Sequence, residues 1–214
     1  QPDLGTSFML LVGGLAVVFA AGLPRRYVLS ALVAGLAALP VLWSQLYDYQ
    51  KARILTFLNP EADQLGAGYQ IAQSKIALGS GGLFGKGFLM GSQSQLNYLP
   101  EKQTDFVFTM IGEEFGFVGN LGVLFTYFVI LASCLMIAIR CRNRFGQLLC
   151  TGISVMLFLY VFVNIGMVPG LLPVVGAPLP LISYGGTAML TVFIALGLIV
   201  NIALHQDLQD NDLL

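Results

Sequence analysis

The sequence alternates long apolar stretches with shorter polar ones. Five of the apolar stretches reach the ~20 residues that a helix needs to cross the hydrocarbon core of a bilayer. They lie at about residues 6–23, 27–47, 114–139, 147–168 and 182–204. The pattern predicts an all-α, polytopic membrane protein, in which residues 1–214 form a single membrane domain with five transmembrane helices.

Arginines in the two shortest connections set the predicted orientation. They are Arg25, Arg26, Arg140, Arg142 and Arg144. Short loops rich in arginine and lysine stay in the cytoplasm. The N-terminal residues 1–5, the connection at about 48–113 and the segment 169–181 are therefore expected on the outer face.

The connection at 48–113 is too long for a simple link between two helices, and connections of this size are usually functional. It is expected to be structured. Residues 69–78 place isoleucines and a leucine among polar residues, which favours a short helix at the membrane surface, and the glycines of 79–87 predict tight turns after it. Four prolines in residues 169–180 exclude a regular helix before Pro180, so this segment is expected to form a wall of an outer site.

Composition narrows the classes of function. Apolar residues make up 57% of the 214 and charged residues 10%, which lies outside the range of ordinary soluble domains. The sequence has no G-x-x-x-x-G-K-[ST] loop, no G-x-S-x-G elbow and no histidine-rich cluster, so nucleotide-driven transport, serine hydrolysis and zinc chemistry lack a motif. The three cysteines have no metal-ligand spacing and are expected to be inert thiols. The opening residues QPDLG are interpreted as a cut within a longer protein.

Asp105 is the candidate catalytic residue, within the charged stretch from Tyr98 to Gly119. It follows Thr104 and precedes an apolar run, a position where an acid can cap a helix N-terminus. It is also placed to act as a general base at the membrane surface. Local sequence leaves both interpretations open. Glu113 and Glu114 are expected to begin the third span, where the helix dipole favours acids.

Cations of the outer connection are candidates for binding a phosphate-bearing ligand, because lysine and arginine neutralise phosphate oxygens. The predicted substrate-binding residues are Arg53, Lys75, Lys86, Glu101 and Lys102, and among the cations Arg53, Lys75 and Lys86 rank ahead of Lys51 and Lys102. Each cation also has an alternative as a lipid-headgroup or solvent contact, and Glu101 with Lys102 as a local ion pair. No metal ligands are predicted. Asn164, deep in the fourth span, is expected to form an interhelical hydrogen bond.

Five motifs carry a specific resemblance that spans nearly the whole chain. They are QPDLGT at 1–6, ILTFLNP at 54–60, GYQIAQSKIALGSGGLFGKG at 68–87, LPEKQTDFVFTMIGEEFGFVG at 99–119 and GLLPVVGAPLPLISYGG at 170–186. Together they resemble the SEDS family (shape, elongation, division and sporulation) of bacterial cell-wall polymerases. The stretch SQSQLNYLPEKQTDFVF looks more like the elongation branch than the division branch. The chain resembles the C-terminal half of the ten-helix SEDS fold.

The resemblance implies a peptidoglycan glycosyltransferase that polymerises lipid II, a polyprenyl-pyrophosphoryl disaccharide-peptide. Asp105 matches the family's essential outer-loop aspartate and would be the general base. The outer cations would hold the pyrophosphate, with a divalent cation such as Mg²⁺ as a candidate helper. A class B penicillin-binding protein is the implied partner, and the outer face of the bacterial cytoplasmic membrane is the implied location. Two alternatives are a lipid II flippase and a scaffold that activates the penicillin-binding protein.

Overall fold

The computed structural model describes residues 4–59, 63, 66–95 and 103–211. All regular secondary structure in these ranges is helical, which confirms the predicted all-α class. The helices are α1 (Leu4–Ala20), α2 (Arg25–Gln45), α3 (Asp48–Leu58), α4 (Ala67–Gly81), α5 (Ser92–Gln95), α6 (Val107–Arg140), α7 (Arg144–Met167) and α8 (Gly186–Asn211).

Each predicted span overlaps one helix, in the order α1, α2, α6, α7 and α8. Three of them, α6, α7 and α8, are long and apolar enough to cross a membrane. α1 has 17 residues, and α2 has 21 with Pro40 inside it. The polytopic membrane character is confirmed, while the crossing of the bilayer by α1 and α2 stays a prediction.

α7 lies at the centre of the fold and packs against α1, α6 and α8, while α4 packs against α6. One core joins α6 and α7 to the proline-rich segment near the predicted outer face, through Phe106, Phe108, Tyr127, Val161, Val168 and Leu179. A second core near the predicted cytoplasmic end contains Cys134, Ala138, Cys150 and Ile199. The first of these cores fixes the relative positions of the outer segments.

α6 is interrupted at Gly116, where φ is 72° and ψ is −163°. The residues from Gly82 to Gly87 fit into this kink and are bonded to it at four points. The bonds are Lys86 N to Glu113 O and Gly87 N to Glu114 O, each 3.0 Å, Phe117 N to Gly82 O, 2.9 Å, and Val118 N to Leu83 O, 3.1 Å. Gly85 is required for this fit, because a Cβ there would lie 2.1 Å from the Glu114 carbonyl oxygen. We call this arrangement of Gly82–Gly87 with Glu113–Val118 the glycine interlock.

α6 begins at Val107, whereas the third span was predicted to begin at residue 114. Glu113 and Glu114 therefore lie inside the helix, directly before the kink, and the prediction that they occupy a helix start is wrong. The helix begins earlier because the apolar pattern already starts at Phe106, and Phe106 and Phe108 are buried in the outer core. α3 has no counterpart among the predicted elements, and α4 contains the surface helix predicted at 69–78.

Candidate active site

Asp105 lies in the turn of residues 103–106 that leads into α6, and its side chain is half-buried. The N-cap of α6 is Phe106, whose own side chain makes no capping hydrogen bond. Asp105 precedes this N-cap by one position rather than occupying it. The role of Asp105 as a general base stays a prediction.

The Asp105 turn is tied to two other parts of the chain through its backbone. Nδ2 of Asn164, on α7, donates to the Asp105 carbonyl at 2.9 Å and to the Ala177 carbonyl at 2.6 Å. Tyr184 N donates to the Gln103 carbonyl at 2.9 Å. Asn164 is fully buried, so its two bonds are shielded from water. The hydrogen bonds predicted for Asn164 thus reach two non-helical segments rather than a neighbouring helix.

Ser183 provides a further tie between the Asp105 turn and the proline-rich segment. Its Oγ donates to the Thr104 carbonyl and accepts from Leu179 N, the latter at 2.7 Å. Tyr127 on α6 donates its hydroxyl to the Pro180 carbonyl. The segment stays non-helical until α8 begins at Gly186, as its prolines predict. The hydroxyls of Ser183 and Tyr127 thus provide hydrogen bonds to backbone groups that have no partner within a helix.

The carboxylate of Asp105 faces Gly176 of the proline-rich segment. Gly176 has a φ of 71°, and a Cβ built on it would lie 3.4 Å from Oδ2 of Asp105. The neighbouring Val175 meets the start of α1, since a Cβ built on Gly5 would lie 2.7 Å from the Cβ of Val175. The start of α1, the Asp105 turn and the proline-rich segment therefore come together, as their common predicted face requires.

Open space lies on two sides of this assembly. A cavity of about 220 Å³ lies between the start of α1, α7 and the proline-rich segment, and Thr6, Gly176 and Ser183 line it. A groove of about 930 Å³ runs along the other side, where Phe88, Gln103 and Ser183 are among its lining residues. Ser183 lines both spaces, and its hydroxyl is bonded to the Asp105 turn through the Thr104 carbonyl.

Lys86 and Glu113 form an ion pair with 2.7 Å between Nζ and Oε1. The Glu113 side chain is fully buried, and that of Lys86 is 29% exposed. The same Oε1 accepts from Ser92 Oγ at 3.1 Å and from Gln93 N at 3.0 Å, and Lys86 Nζ also donates to Ser92 Oγ at 2.8 Å. Lys86 was predicted to bind substrate; in the structure its ammonium is held by a buried carboxylate and fastens α5 to α6.

The other predicted ligands are spread over the outer connection. Lys75 is exposed on α4, and its Nζ lies 3.2 Å from a Cβ built on Gly170. Arg53 lies on α3, as does Lys51. Glu101 and Lys102 fall outside the described residues. The structure thus places Lys75 beside the end of α7 and Lys86 at the kink of α6, which are two separate locations.

No group of three or more histidine, cysteine, aspartate or glutamate side chains suited to a metal ion occurs among the described residues. Glu113 is already engaged by Lys86. Asp105 is the described carboxylate that faces the proline-rich segment, and a divalent cation beside it stays a prediction. One carboxylate fits Mg²⁺ when substrate phosphate oxygens and water complete its coordination.

Comparison with known proteins places this arrangement in a family. The model of the FtsW, RodA and SpoVE proteins, described as "Cell cycle protein", matches residues 1–208. The chain belongs to the FtsW/RodA/SpoVE family. This result confirms the SEDS resemblance drawn from the motifs.

Individual relatives of this FtsW/RodA/SpoVE protein agree. Peptidoglycan glycosyltransferase MrdB of Escherichia coli strain K12 is 51% identical over 207 residues, which are 96% of this chain and 56% of that protein. A solved structure described as "Structural coordination of polymerization and crosslinking by a peptidoglycan synthase complex" matches with a TM-score of 0.75 and 35% identity, over 97% of this chain and 56% of the other. The rod shape determining protein RodA of Thermus thermophilus matches with a TM-score of 0.59 and 32% identity, over 97% and 50%. The chain spans about half the length of the curated relatives it matches.

Two residues of the site were not predicted from the sequence in their structural roles. Glu113 was assigned to a helix start, yet it is the buried acceptor for Lys86, from which it is 27 positions away along the chain. Ser183 was not singled out, although it joins the two segments around Asp105. The sequence did indicate that Glu113 needs a partner, because it is a charged residue next to a long apolar run and a buried acid must be paired. No local pattern identifies the partner of Ser183.

Proposed function

We propose that the whole protein is a peptidoglycan glycosyltransferase that polymerises lipid II into glycan strands during cell elongation. The observation that carries the proposal is a fixed, half-buried carboxylate, Asp105, in the motif that the chain shares with its family. The proposed location is the bacterial cytoplasmic membrane, with the site on its outer face. That arrangement suits substrates whose lipid stays in the bilayer while their sugars project from it.

In the proposed reaction, Asp105 accepts the proton of the 4-hydroxyl of the acceptor sugar. The hydroxyl oxygen bonds to the anomeric carbon of the donor, and the bond from that carbon to the pyrophosphate oxygen breaks. Polyprenyl pyrophosphate leaves with the electron pair, and the anomeric configuration inverts. A positioned base typically contributes ~10²–10⁴-fold to the rate. Orientation of the two substrates and stabilisation of the leaving group supply the rest.

The surroundings of Asp105 support this role. Asn164 and Tyr184 hold the backbone of its turn, so the carboxylate needs little reorganisation during the reaction. Gly176 leaves space in front of Oδ2 that any other residue would reduce. A base that is pre-positioned and only half-buried can meet an acceptor that arrives from outside.

Charge for the leaving pyrophosphate is proposed to come from the outer cations. Arg53 and Lys75 are the first candidates, with Glu101 and Lys102 as further contacts to substrate. Lys86 would have to exchange its bond to Glu113 for a bond to phosphate. We also propose that a divalent cation such as Mg²⁺ assists, because such ions bridge carboxylates and phosphate oxygens. Chelation should then slow polymerisation, and added Mg²⁺ should restore it.

The proposed partner is a class B penicillin-binding protein. The support is the similarity to the solved peptidoglycan synthase complex, which is described as coordinating polymerization and crosslinking. A role as an activating scaffold for that partner is compatible with polymerase activity. The two roles are separable by experiment because only polymerisation consumes lipid II.

The deciding experiment uses the purified full-length protein with its transpeptidase partner and labelled lipid II. Glycan strands are resolved on gels for wild type, Asp105→Asn and Asp48→Asn. Asp48 is a matched control, since it is an exposed aspartate of the same outer connection, in the first turn of α3. We expect Asp105→Asn to lower the initial rate at least ~10²-fold, and Asp48→Asn to match wild type.

Each other outcome has a definite meaning. Polymerisation by Asp105→Asn at the wild-type rate would exclude Asp105 as the base. Transfer of lipid II between leaflets by a wild-type protein that makes no glycan would instead support the flippase. Faster crosslinking by the partner, without any glycan made by this protein, would support the scaffold.

A further inference from the structure

The segment from Leu83 to Met90, between α4 and α5, projects large apolar side chains to the surface. We call it the apolar loop (residues 83–90). Phe84 is 80% exposed, Met90 72% and Phe88 69%, and Leu83 and Leu89 are also exposed. Connections between helices usually carry polar residues because they face water. A loop built this way needs an apolar surrounding outside the described fold.

The only charge in the sequence of the apolar loop is directed inward. Lys86 donates to Glu113 and to Ser92, so its ammonium is compensated by a carboxylate that is fully buried. Burial of a lone ammonium in an apolar environment would be costly, but a paired and hydrogen-bonded one is tolerated. The outward surface of the loop is left with apolar side chains and glycine backbone.

The backbone of the loop holds one apolar side chain outward in a strained conformation. Leu89 has a φ of 59°, in the left-handed region that non-glycine residues rarely occupy, and it is exposed. Such a conformation is costly and persists only where the neighbouring structure enforces it. Here the glycine interlock fixes residues 82–87, and the bonds of Ser92 and Gln93 to Glu113 fix the chain after the loop.

The position of the apolar loop along α6 indicates its depth relative to the bilayer. α6 ends at Arg140, on the predicted cytoplasmic side. Counting back the ~20 residues of a membrane crossing from Arg140 reaches about residue 120. The apolar loop is bonded to α6 just beyond that point, through Val118 N to Leu83 O at 3.1 Å. The loop therefore lies at the outer boundary of the hydrocarbon core.

The surface next to the loop continues the same apolar character. The ring of Phe88 lies 6.1 Å from that of Phe115, centroid to centroid, and Phe115 is itself 47% exposed. Phe117 and Val118, directly after the kink of α6, are exposed as well. The loop and the exposed side of this spanning helix thus form one continuous apolar surface, whose lower part is at the depth of the acyl chains.

We infer that the apolar loop inserts into the outer interface of the bilayer and anchors the outer connection to lipid at a fixed depth. Aromatic and long apolar side chains are favoured at that level. Through the interlock and the outer part of α6, the anchor sets the height of the Asp105 turn above the membrane. The inference concerns lipid contact alone and stands whether or not the proposed glycosyltransferase activity is correct.

The test places a fluorescent bimane label on single cysteines of the full-length protein in lipid vesicles. Cys134, Cys141 and Cys150, together with any cysteine in the remainder of the protein, are first replaced by alanine. Phe84→Cys and Phe88→Cys report on the loop, and Met90→Cys is a third position in case one labelled variant fails to fold. Gln95→Cys, at the exposed end of α5, is the polar control.

Two quenchers distinguish the possible surroundings. Phosphatidylcholine with a doxyl group near the headgroup should quench the loop labels strongly, and more than lipid with the group near the chain end. Aqueous iodide should quench them far less than the label at position 95. Iodide quenching equal to that of position 95 would overturn the inference, because the loop would then lie in water. Absence of quenching by either agent would also overturn it, since another part of the protein would then cover the loop.

Discussion

The Lys86–Glu113 pair gives a quantitative prediction about stability. Substitution of Lys86 by methionine keeps most of the aliphatic stem but leaves the Glu113 carboxylate, which is fully buried, without its cation. Removal of one partner from a buried pair typically costs ~3–5 kcal/mol. Two features predict that the cost of removing Lys86 lies at or below the low end of this range. Lys86 is 29% exposed, and Ser92 and Gln93 still donate to Glu113 Oε1.

We therefore expect Lys86→Met to lower the free energy of unfolding by about 2–3 kcal/mol. Glu113→Gln should cost less, about 1–2 kcal/mol, because the amide can still accept hydrogen bonds and the lysine can turn towards water. The double variant should cost less than the sum of the two, since no unpaired charge remains buried in it. A coupling energy of at least ~1 kcal/mol is expected from a double-mutant cycle.

The assay is reversible unfolding of the full-length protein in mixed micelles, followed by circular dichroism during titration with a denaturing detergent. Lys75→Met is the matched control, because Lys75 is an exposed lysine on the adjacent helix α4 and should shift stability by no more than ~0.5 kcal/mol. Additive single effects, with no measurable coupling, would refute the assignment of Lys86 and Glu113 as a stabilising pair. Equal costs for Lys86→Met and Lys75→Met would refute it as well.

Three further substitutions test the outer assembly. Asn164→Leu leaves two buried backbone carbonyls without a donor, so it should lower the free energy of unfolding by about 2–4 kcal/mol. It should also lower kcat more than it raises KM. Asn164→Asp can accept but not donate a hydrogen bond, so it should restore neither stability nor kcat. Gly176→Ala places a Cβ at 3.4 Å from Oδ2 of Asp105, the proposed base, and should reduce the polymerisation rate, while Gly22→Ala, at another positive φ but in open space, should affect stability alone. Gly85→Ala should destabilise the protein far more than Gly82→Ala in thermal melts, because both have positive φ but only the former drives a Cβ to 2.1 Å from a carbonyl oxygen.

The helices that the sequence predicted well are those whose long apolar runs reflect contact with lipid. Each long apolar run gave a helix, because a chain in lipid has to satisfy its backbone internally. The non-helical character of the proline-rich segment followed from a similar local rule, the missing N–H of proline. Asp105 was singled out through its motif rather than through any local physical rule, and its role as a base stays a prediction.

Contacts between distant residues could not be predicted from one sequence. The ends of α6 illustrate this. The end at Arg140, on the predicted cytoplasmic side, was close to the prediction, but the other end extends to Val107 because Phe106 and Phe108 pack in the first core. Glu113 was misassigned because the predicted helix start was misplaced. The partnership of Asn164 with two turns depends on where the chain returns after α7, which no periodicity encodes.

The glycine interlock makes the outer part of α6 and the connection before it a single cooperative unit. In an unbroken helix, Phe117 N and Val118 N would bond to the carbonyls of residues 113 and 114. The interlock replaces those two helical bonds by four bonds to a segment that is synthesised earlier. The amides of residues 117 and 118 therefore depend on the connection for their hydrogen bonds. They should exchange with deuterium at the same rate as the amides of residues 86 and 87. Displacement of residues 82–87 would break all four bonds together and fray the helix from its outer end down to the kink.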